Sequence, residues 1–296
     1  MQFNWQYPHE SPMTIKQFLV KQNIPRSFVS WVKFSGEILL NNQAVTVRSK
    51  LKQDDHLMLI APDETGHDTV VPSHLPIEIV YEDRDFLIVN KPMGVVSIPS
   101  VKNPDASMAN RVKGYYLRQV YDDQVIHIVT RLDRDTTGLM LIAKHRLAHA
   151  MIDRQIQDRT IVKLYDAISA KADWPLHGKI EAPIARDENS IITRRVHASG
   201  KNALTEFWRG VVLSDSSLLR LQLHTGRTHQ IRVHLSYMGG PLVGDDLYGG
   251  PLEVPLTRQA LHCGELHFVQ PFTQERLQIK QGLPADMLQW IESRTF

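Results

Sequence analysis

One cysteine, Cys263, stands among 296 residues, which excludes an intrachain disulfide and a four-cysteine zinc site. No apolar run approaches the roughly 18 residues needed to cross a bilayer. The opening Met-Gln-Phe-Asn-Trp-Gln-Tyr-Pro lacks the basic and apolar parts of a secretion signal. These absences predict a cytoplasmic protein in a reducing environment, without membrane contact. The glycine-rich dinucleotide motif and the phosphate-binding P-loop are also missing, so no cofactor is expected. Charge of one sign is not in excess either. The net charge is +2, and the distribution of charge says more about partners than the total.

Residues 1–62 read as a small unit of their own. Ile15, Phe18 and Leu19 have helical spacing behind Thr14, a natural N-cap. Asn23-Ile24-Pro25 breaks that helix, and a second starts near Arg26, carries Phe28, Val29, Val32 and Phe34, and ends at Gly36. Strands are predicted at residues 37–40 and 44–47 around an Asn41-Asn42 turn, and again at 57–60. Between residues 14 and 60 lie seven basic side chains, Lys16, Arg26 and Lys33 among them, against three acidic ones. That surplus suits a phosphate backbone. Ordinary solubilising lysines would look the same. Residues 63–75 read as a linker, and 76–296 as the larger unit.

In the larger unit strands are predicted at 77–81, 86–90, 139–143, 162–170, 204–208 and 218–224. Helices fall near 146–158 and from about residue 228. Strands outnumber helices without β-α-β alternation, which predicts an α+β fold. Residues 127–144, His-Ile-Val-Thr-Arg-Leu-Asp-Arg-Asp-Thr-Thr-Gly-Leu-Met-Leu-Ile-Ala-Lys, hold a charged loop between two apolar runs. Such a frame can present a reactive carboxylate. Taken alone it is equally a solvated hairpin connection. Downstream, Thr225-Gly-Arg-Thr-His-Gln-Ile-Arg-Val-His-Leu opens a helix in which Ile231, Leu235 and Met238 form an apolar stripe. Arg232 flanks that stripe and calls for an acidic partner. His224, His229 and His234 recur every five residues, a poor spacing for one helical face, so no metal is expected there.

The Arg131-Leu-Asp-Arg-Asp-Thr-Thr-Gly-Leu block resembles the signature of the RluA/RluD-type RNA pseudouridine synthases. Asn90-Lys-Pro-Met-Gly-Val, Lys163-Leu-Tyr165, Gly200-Lys-Asn-Ala-Leu-Thr205, the 225–235 block, Gly244-Asp-Asp-Leu-Tyr-Gly and Leu261-His-Cys-Gly-Glu-Leu-His-Phe match in order. Residues 14–56 resemble the small RNA-binding domain named for the fourth small-subunit ribosomal protein. The resemblance implies a mixed, largely antiparallel central sheet with flanking helices and a central RNA-binding cleft, behind a small α/β RNA-binding domain. It implies an isomerase, expected as a monomer, acting on ribosomal or transfer RNA. Asp133 is then the catalytic carboxylate, as nucleophile on the anomeric carbon or base on its neighbour, with Arg232 paired to it. Tyr165 would pack on the target base and assist proton removal from carbon 5. Arg131 would contact RNA, as would Lys163, Arg227 and His229 around the site and Lys16, Arg26 and Lys33 in the small unit.

Two positions leave the family pattern. Thr130 stands where histidine is usual, keeping a hydroxyl that can bond the loop backbone, so altered loop geometry or RNA contacts are expected there. Ile98 is the milder departure. Thr130 leaves room for a second reading, a non-catalytic RNA-binding or ribosome-assembly factor. A glycosidase or nucleoside hydrolase would want two carboxylates flanking the bond, and Asp133 and Asp135 are too close in sequence for that.

Overall fold

The computed structural model describes residues 1–64 and 70–294. Its smaller sheet has four antiparallel strands in the order Gln2–Gln6, His56–Ile60, Glu37–Leu40, Gln43–Ala44. The helices Ile15–Lys21 and Arg26–Ser35 belong to the same unit. Thr14 caps the first reciprocally with Gln17, and Gly36 ends the second. A Cβ on Gly36 would lie 2.1 Å from Ile60 O, so only glycine fits where the chain crosses the sheet. Asn41 and Asn42 both take positive φ, the geometry of a tight hairpin turn. The strand expected at 44–47 is shorter and earlier, Gln43–Ala44, because after the Val45 amide bonds Ile38 O the chain turns away. Phe28 and Val32 are buried, whereas Phe34 is left on the surface beneath the Lys33 ammonium. The strand Gln2–Gln6 has no counterpart in the sequence reading. Its single buried side chain, Phe3, gives too little alternation to recognise.

The core of this unit does not close on itself. Phe3, Phe28 and Leu57 share an apolar cluster with Leu147 of the helix Arg146–Gln157. The Phe3 ring stacks on Phe272 at 6.2 Å and meets His145 at 5.3 Å, and Arg84 lies over both phenylalanines. The segment expected as a linker is anchored on both sides of residues 65–69, which lie outside the described residues. Glu64 binds His127 and the Arg146 amide, and Asn110 donates to Val71 O.

The larger sheet has ten strands. Its main path runs His177–Glu181, Leu204–Val212, Ser217–Leu223, Val162–Ser169, Leu261–Val269, Thr137–Ala143, Phe86–Lys91, Glu78–Glu82. Every pairing is antiparallel except that of Thr137–Ala143 with Leu261–Val269. The fold is therefore α+β with a mixed, largely antiparallel sheet. Period-two alternation sends Phe86, Ile88, Leu139 and Leu141 to one face, where they pack with Ala148 and Ile152 of Arg146–Gln157. Leu87, Val89, Met140 and Ile142 face the other side and meet Met108, Val112 and Tyr116 of the helix Met108–Arg118. That helix is absent from the sequence reading, although Met108, Val112 and Tyr116 fall at i, i+4 and i+8 on one face. With both faces covered, all of Thr137–Ala143 is buried.

Candidate active site

The apolar lead-in to the charged loop becomes the short strand His127–Ile128, antiparallel to the end of Thr137–Ala143. Thr130 closes the hairpin: its amide donates to Leu141 O at 3.1 Å, and its Oγ1 accepts from the Leu141 amide at 2.9 Å. The hydroxyl thus bonds the loop backbone, and the side chain is buried.

Distant residues hold the positions that follow. Ser97 Oγ accepts from the Leu132 amide at 3.0 Å and donates to Leu132 O at 2.8 Å. Lys91 Nζ donates to Arg134 O at 2.7 Å, to Val95 O at 2.7 Å and to Pro92 O at 2.9 Å. Three carbonyls for three N–H groups is what a buried ammonium requires. Burial pushes Lys91 down to about 7, against the opposing charges of Asp135 and Asp133. Arg258, clasped by Asp286, donates to Asp135 O at 3.1 Å, and Gln259 donates to Thr136 Oγ1 at 3.2 Å. Arg134 and Asp135 pair with each other at 2.8 Å. Inside the loop the Thr136 amide bonds Asp133 O, making a tight turn. The backbone is fixed while the Asp133 carboxylate stays 31% exposed.

The helix Gln230–Tyr237 brings Arg232 to this carboxylate. Ile231 and Leu235 are buried as expected, but Met238 lies past the helix end and is exposed. Arg232 is itself buried, and its main partner is Asp245 rather than Asp133. Nε donates to Asp245 Oδ2 at 2.8 Å and Nη2 to Oδ1 at 2.7 Å. The remaining Nη1 faces Asp133 Oδ2 at 3.6 Å. Burial opposes the guanidinium charge, but the Asp245 bonds and the nearby Asp133 outweigh it and hold Arg232 above its ordinary value. The Tyr248 ring lies 4.9 Å below the guanidinium, and its hydroxyl shares a 2.8 Å hydrogen bond with His229 Nδ1. His229 Nε2 is 3.9 Å from Asp133. Burial lowers the His229 pKa, only partly countered by Asp133.

Tyr165 reaches the site through strand register, opposite Cys263, which in turn pairs with Gly138 at the loop's exit. Gly138 has φ +109°, and a Cβ there would meet Cys263 O at 2.3 Å. The register shifts between Leu164 and Tyr165, and such irregularities re-aim side chains. Tyr165 is 4% exposed and clusters with Leu132, Leu221 and Ile231. Burial, then the neighbouring Cys263 and Asp133, push its phenol well above the ordinary value. Lys163 is half-buried near Cys263, and burial lowers its ammonium. Arg131 is exposed, and Arg227 donates to Asn202 O at 3.0 Å. Lys16, Arg26 and Lys33 are exposed in the smaller unit. The three regularly spaced histidines diverge: His224 to Glu206, His229 to Tyr248, His234 to Thr205 and Ala182 O. Ser97 and Arg258 fall outside the motif blocks, while Lys91, Asp245 and Tyr248 lie inside two of them without a role assigned there. The call of Arg232 for an acidic partner pointed toward such a residue.

A model of the RNA pseudouridylate synthase family matches residues 85–237. The chain is 40% identical over 281 residues to the uncharacterized RNA pseudouridine synthase YjbO of Bacillus subtilis, covering 95% of this chain and 99% of that one. Ribosomal large subunit pseudouridine synthase D of Yersinia pestis is 38% identical over 235 residues, covering 75% and 72%. Among solved structures, human RNA Pseudouridylate Synthase Domain Containing 4 superposes with a TM-score of 0.59 at 23% identity, covering 73% of this chain and 92% of that one. At that identity the likeness speaks for the fold alone.

Proposed function

Since the chain belongs to the RNA pseudouridylate synthase family and is an isomerase of uridine to pseudouridine, we propose that Asp133 is the carboxylate that performs the reaction, on uridines of structured ribosomal RNA. The observation that carries this reading is the half-exposed Asp133 on an otherwise pinned loop, 3.6 Å from the buried Arg232. The isomerisation breaks the bond between uracil N1 and the anomeric carbon, turns the base, and rejoins it through C5; the proton lost from C5 is balanced by one gained at N1. Nothing is oxidised and no group is donated. One carboxylate beside the sugar suffices, as nucleophile or base. A stacked uridine cannot be reached, so the target is swung out at a cost of a few kcal/mol. In this reading Arg131, exposed and two residues from Asp133, contacts the RNA around the vacated position. The smaller unit, with Lys16, Arg26 and Lys33 exposed, supplies a second RNA contact.

Tyr165 serves this reaction by packing. A phenol held so firmly protonated is a poor base for C5. Tyr165→Phe is therefore expected to lower turnover by less than about tenfold, well short of what removal of a proton-transfer group costs. Abolished turnover in that variant would restore the proton-transfer role. The function itself is tested by incubating the protein with RNA tritiated at uracil C5, where release of label is expected. No release from any cellular RNA fraction would overturn it. The non-catalytic reading drew on Thr130 alone, and a buried hydroxyl closing the hairpin removes its support.

A further inference from the structure

The ribbon formed by Ile184–Arg186 and Arg194–Val196 borders a cavity of about 450 Å³ whose charged side chains are Arg186, Arg194, Lys201 and Arg227. No carboxylate lines it. The register sets Arg186 directly opposite Arg194, and like charges across an antiparallel pair destabilise it. The protein does little to offset this. Among the described residues Arg186 and Lys201 have no ion-pair partner. Arg194 donates to Ile192 O at 3.0 Å and Thr193 O at 2.9 Å, and Arg227 to Asn202 O. The adjacent carboxylates are engaged elsewhere. Asp187 accepts from the Asn189 amide and Thr193 Oγ1, and Glu188 pairs with Arg195 at 2.9 Å. Four cations thus gather around one open volume with no anion among them.

The cavity also borders the site. The Arg194 amide donates to Tyr248 Oη at 2.9 Å, the same oxygen that shares a hydrogen bond with His229. Arg227 and Thr228 run directly into His229, which stands 3.9 Å from Asp133. A group seated among the four cations lies within a few residues' reach of the carboxylate.

We propose that this cavity is a subsite for a backbone phosphodiester of the RNA strand next to the target uridine. The inference rests on the reading of Asp133 as the acting carboxylate. Phosphate fits because it is a compact anion that accepts from several guanidinium groups at once. Contacts of this kind position a strand without reading its bases. The two opposed arginines are relieved only when the strand is bound, so the contact adds to RNA affinity.

The test uses Arg186→Gln combined with Lys201→Gln. Both side chains are exposed and unpaired, so an unchanged melting temperature is the folding control. Binding is measured in an Asp133→Asn background with a labelled single-stranded twelve-residue oligouridylate, across a salt series. Each lost phosphate contact on a single strand lowers the slope of log affinity against log salt by about 0.7. Arg186 and Lys201 serve one phosphate, so the double variant is expected to bind several-fold more weakly, with a slope smaller by about 0.7. With Asp133 intact, KM should rise by more than kcat falls. An unchanged slope, or a fall in kcat with KM unaltered, would overturn the subsite. So would tripolyphosphate that binds in a variant-sensitive way without displacing the oligonucleotide, since that marks a pocket for a free anion. The two readings fail separately. If Asp133→Asn still releases tritium near the wild-type rate while the slope shifts, the role of Asp133 falls and what remains is a phosphate contact without a defined place relative to the target uridine. If the wild type turns over and the slope does not move, only the subsite falls.

Discussion

Asp133→Asn is expected to lower tritium release by roughly 10⁴-fold or more while leaving fold and RNA affinity in place, the scale lost when the central group of a catalytic set is removed. The substitution keeps shape and hydrogen-bonding capacity but takes away the charge. Its structural cost is small. The loop backbone is fixed by Ser97, Lys91, Arg258 and Gln259, none of which contacts the Asp133 side chain through these bonds. Arg232 keeps both bonds to Asp245, so no cation is orphaned. With Asp133 partly exposed and 3.6 Å from a buried guanidinium that keeps its bonds to Asp245, loss of this contact costs on the order of 1 kcal/mol. Thermal unfolding and oligonucleotide binding should therefore match the wild type. A variant releasing tritium within about tenfold of the wild-type rate would move the chemistry to another group, since even a modest acid–base role is worth about a hundredfold.

The second large effect is expected at Asp245, and here stability and activity fall together. Asp245→Ala leaves the buried Arg232 guanidinium without two of its hydrogen bonds. Removing one member of a buried pair costs about 3–5 kcal/mol, which in a protein of this size lowers the melting temperature by roughly 10 °C. Turnover falls for a separate reason. Asp245 holds Nε and Nη2 so that Nη1 alone faces Asp133; without it the guanidinium can fold onto the Asp133 carboxylate. Adding Arg232→Met separates the two effects. The double variant carries no unpaired buried charge and should regain much of the lost stability, yet remain inactive. A double variant no more stable than Asp245→Ala would show that the pair's contribution is not electrostatic.

What could be read in the sequence followed the range of the interaction. The helix starts at Thr14 and Arg26, the Asn41-Asn42 turn and the apolar runs at 86–90 and 139–143 are local patterns, and they predict elements close to those found. The site was legible as far as motifs reach: Asp133, Tyr165 and Arg232 were named from their blocks, and the fold brings all three to one place. What lay outside that reading is pairing over distance. Ser97, Lys91 and Arg258 act through backbone carbonyls and amides of residues 132, 134 and 135, and a backbone acceptor has no residue type to recognise. Asp245 lies 13 residues after Arg232, past the end of its helix, so no local spacing joins the two. The helix Met108–Arg118 is a local pattern that the reading passed over: Met108, Val112 and Tyr116, spaced by four, are fully buried.

The parallel pairing at the sheet's centre has a bearing on when in its life the protein can act. Thr137 meets His262, 125 residues further along, and the loop before it waits for Arg258, which is itself clasped by Asp286. A ribosome making this chain must therefore translate past Asp286 before the loop around Asp133 can set. Contacts of such sequence separation also form late in folding. The nascent chain carries the Asp133 carboxylate in an unassembled state long after it has been made, and the loop around it sets only once the segment from Arg258 to Asp286 is also in place.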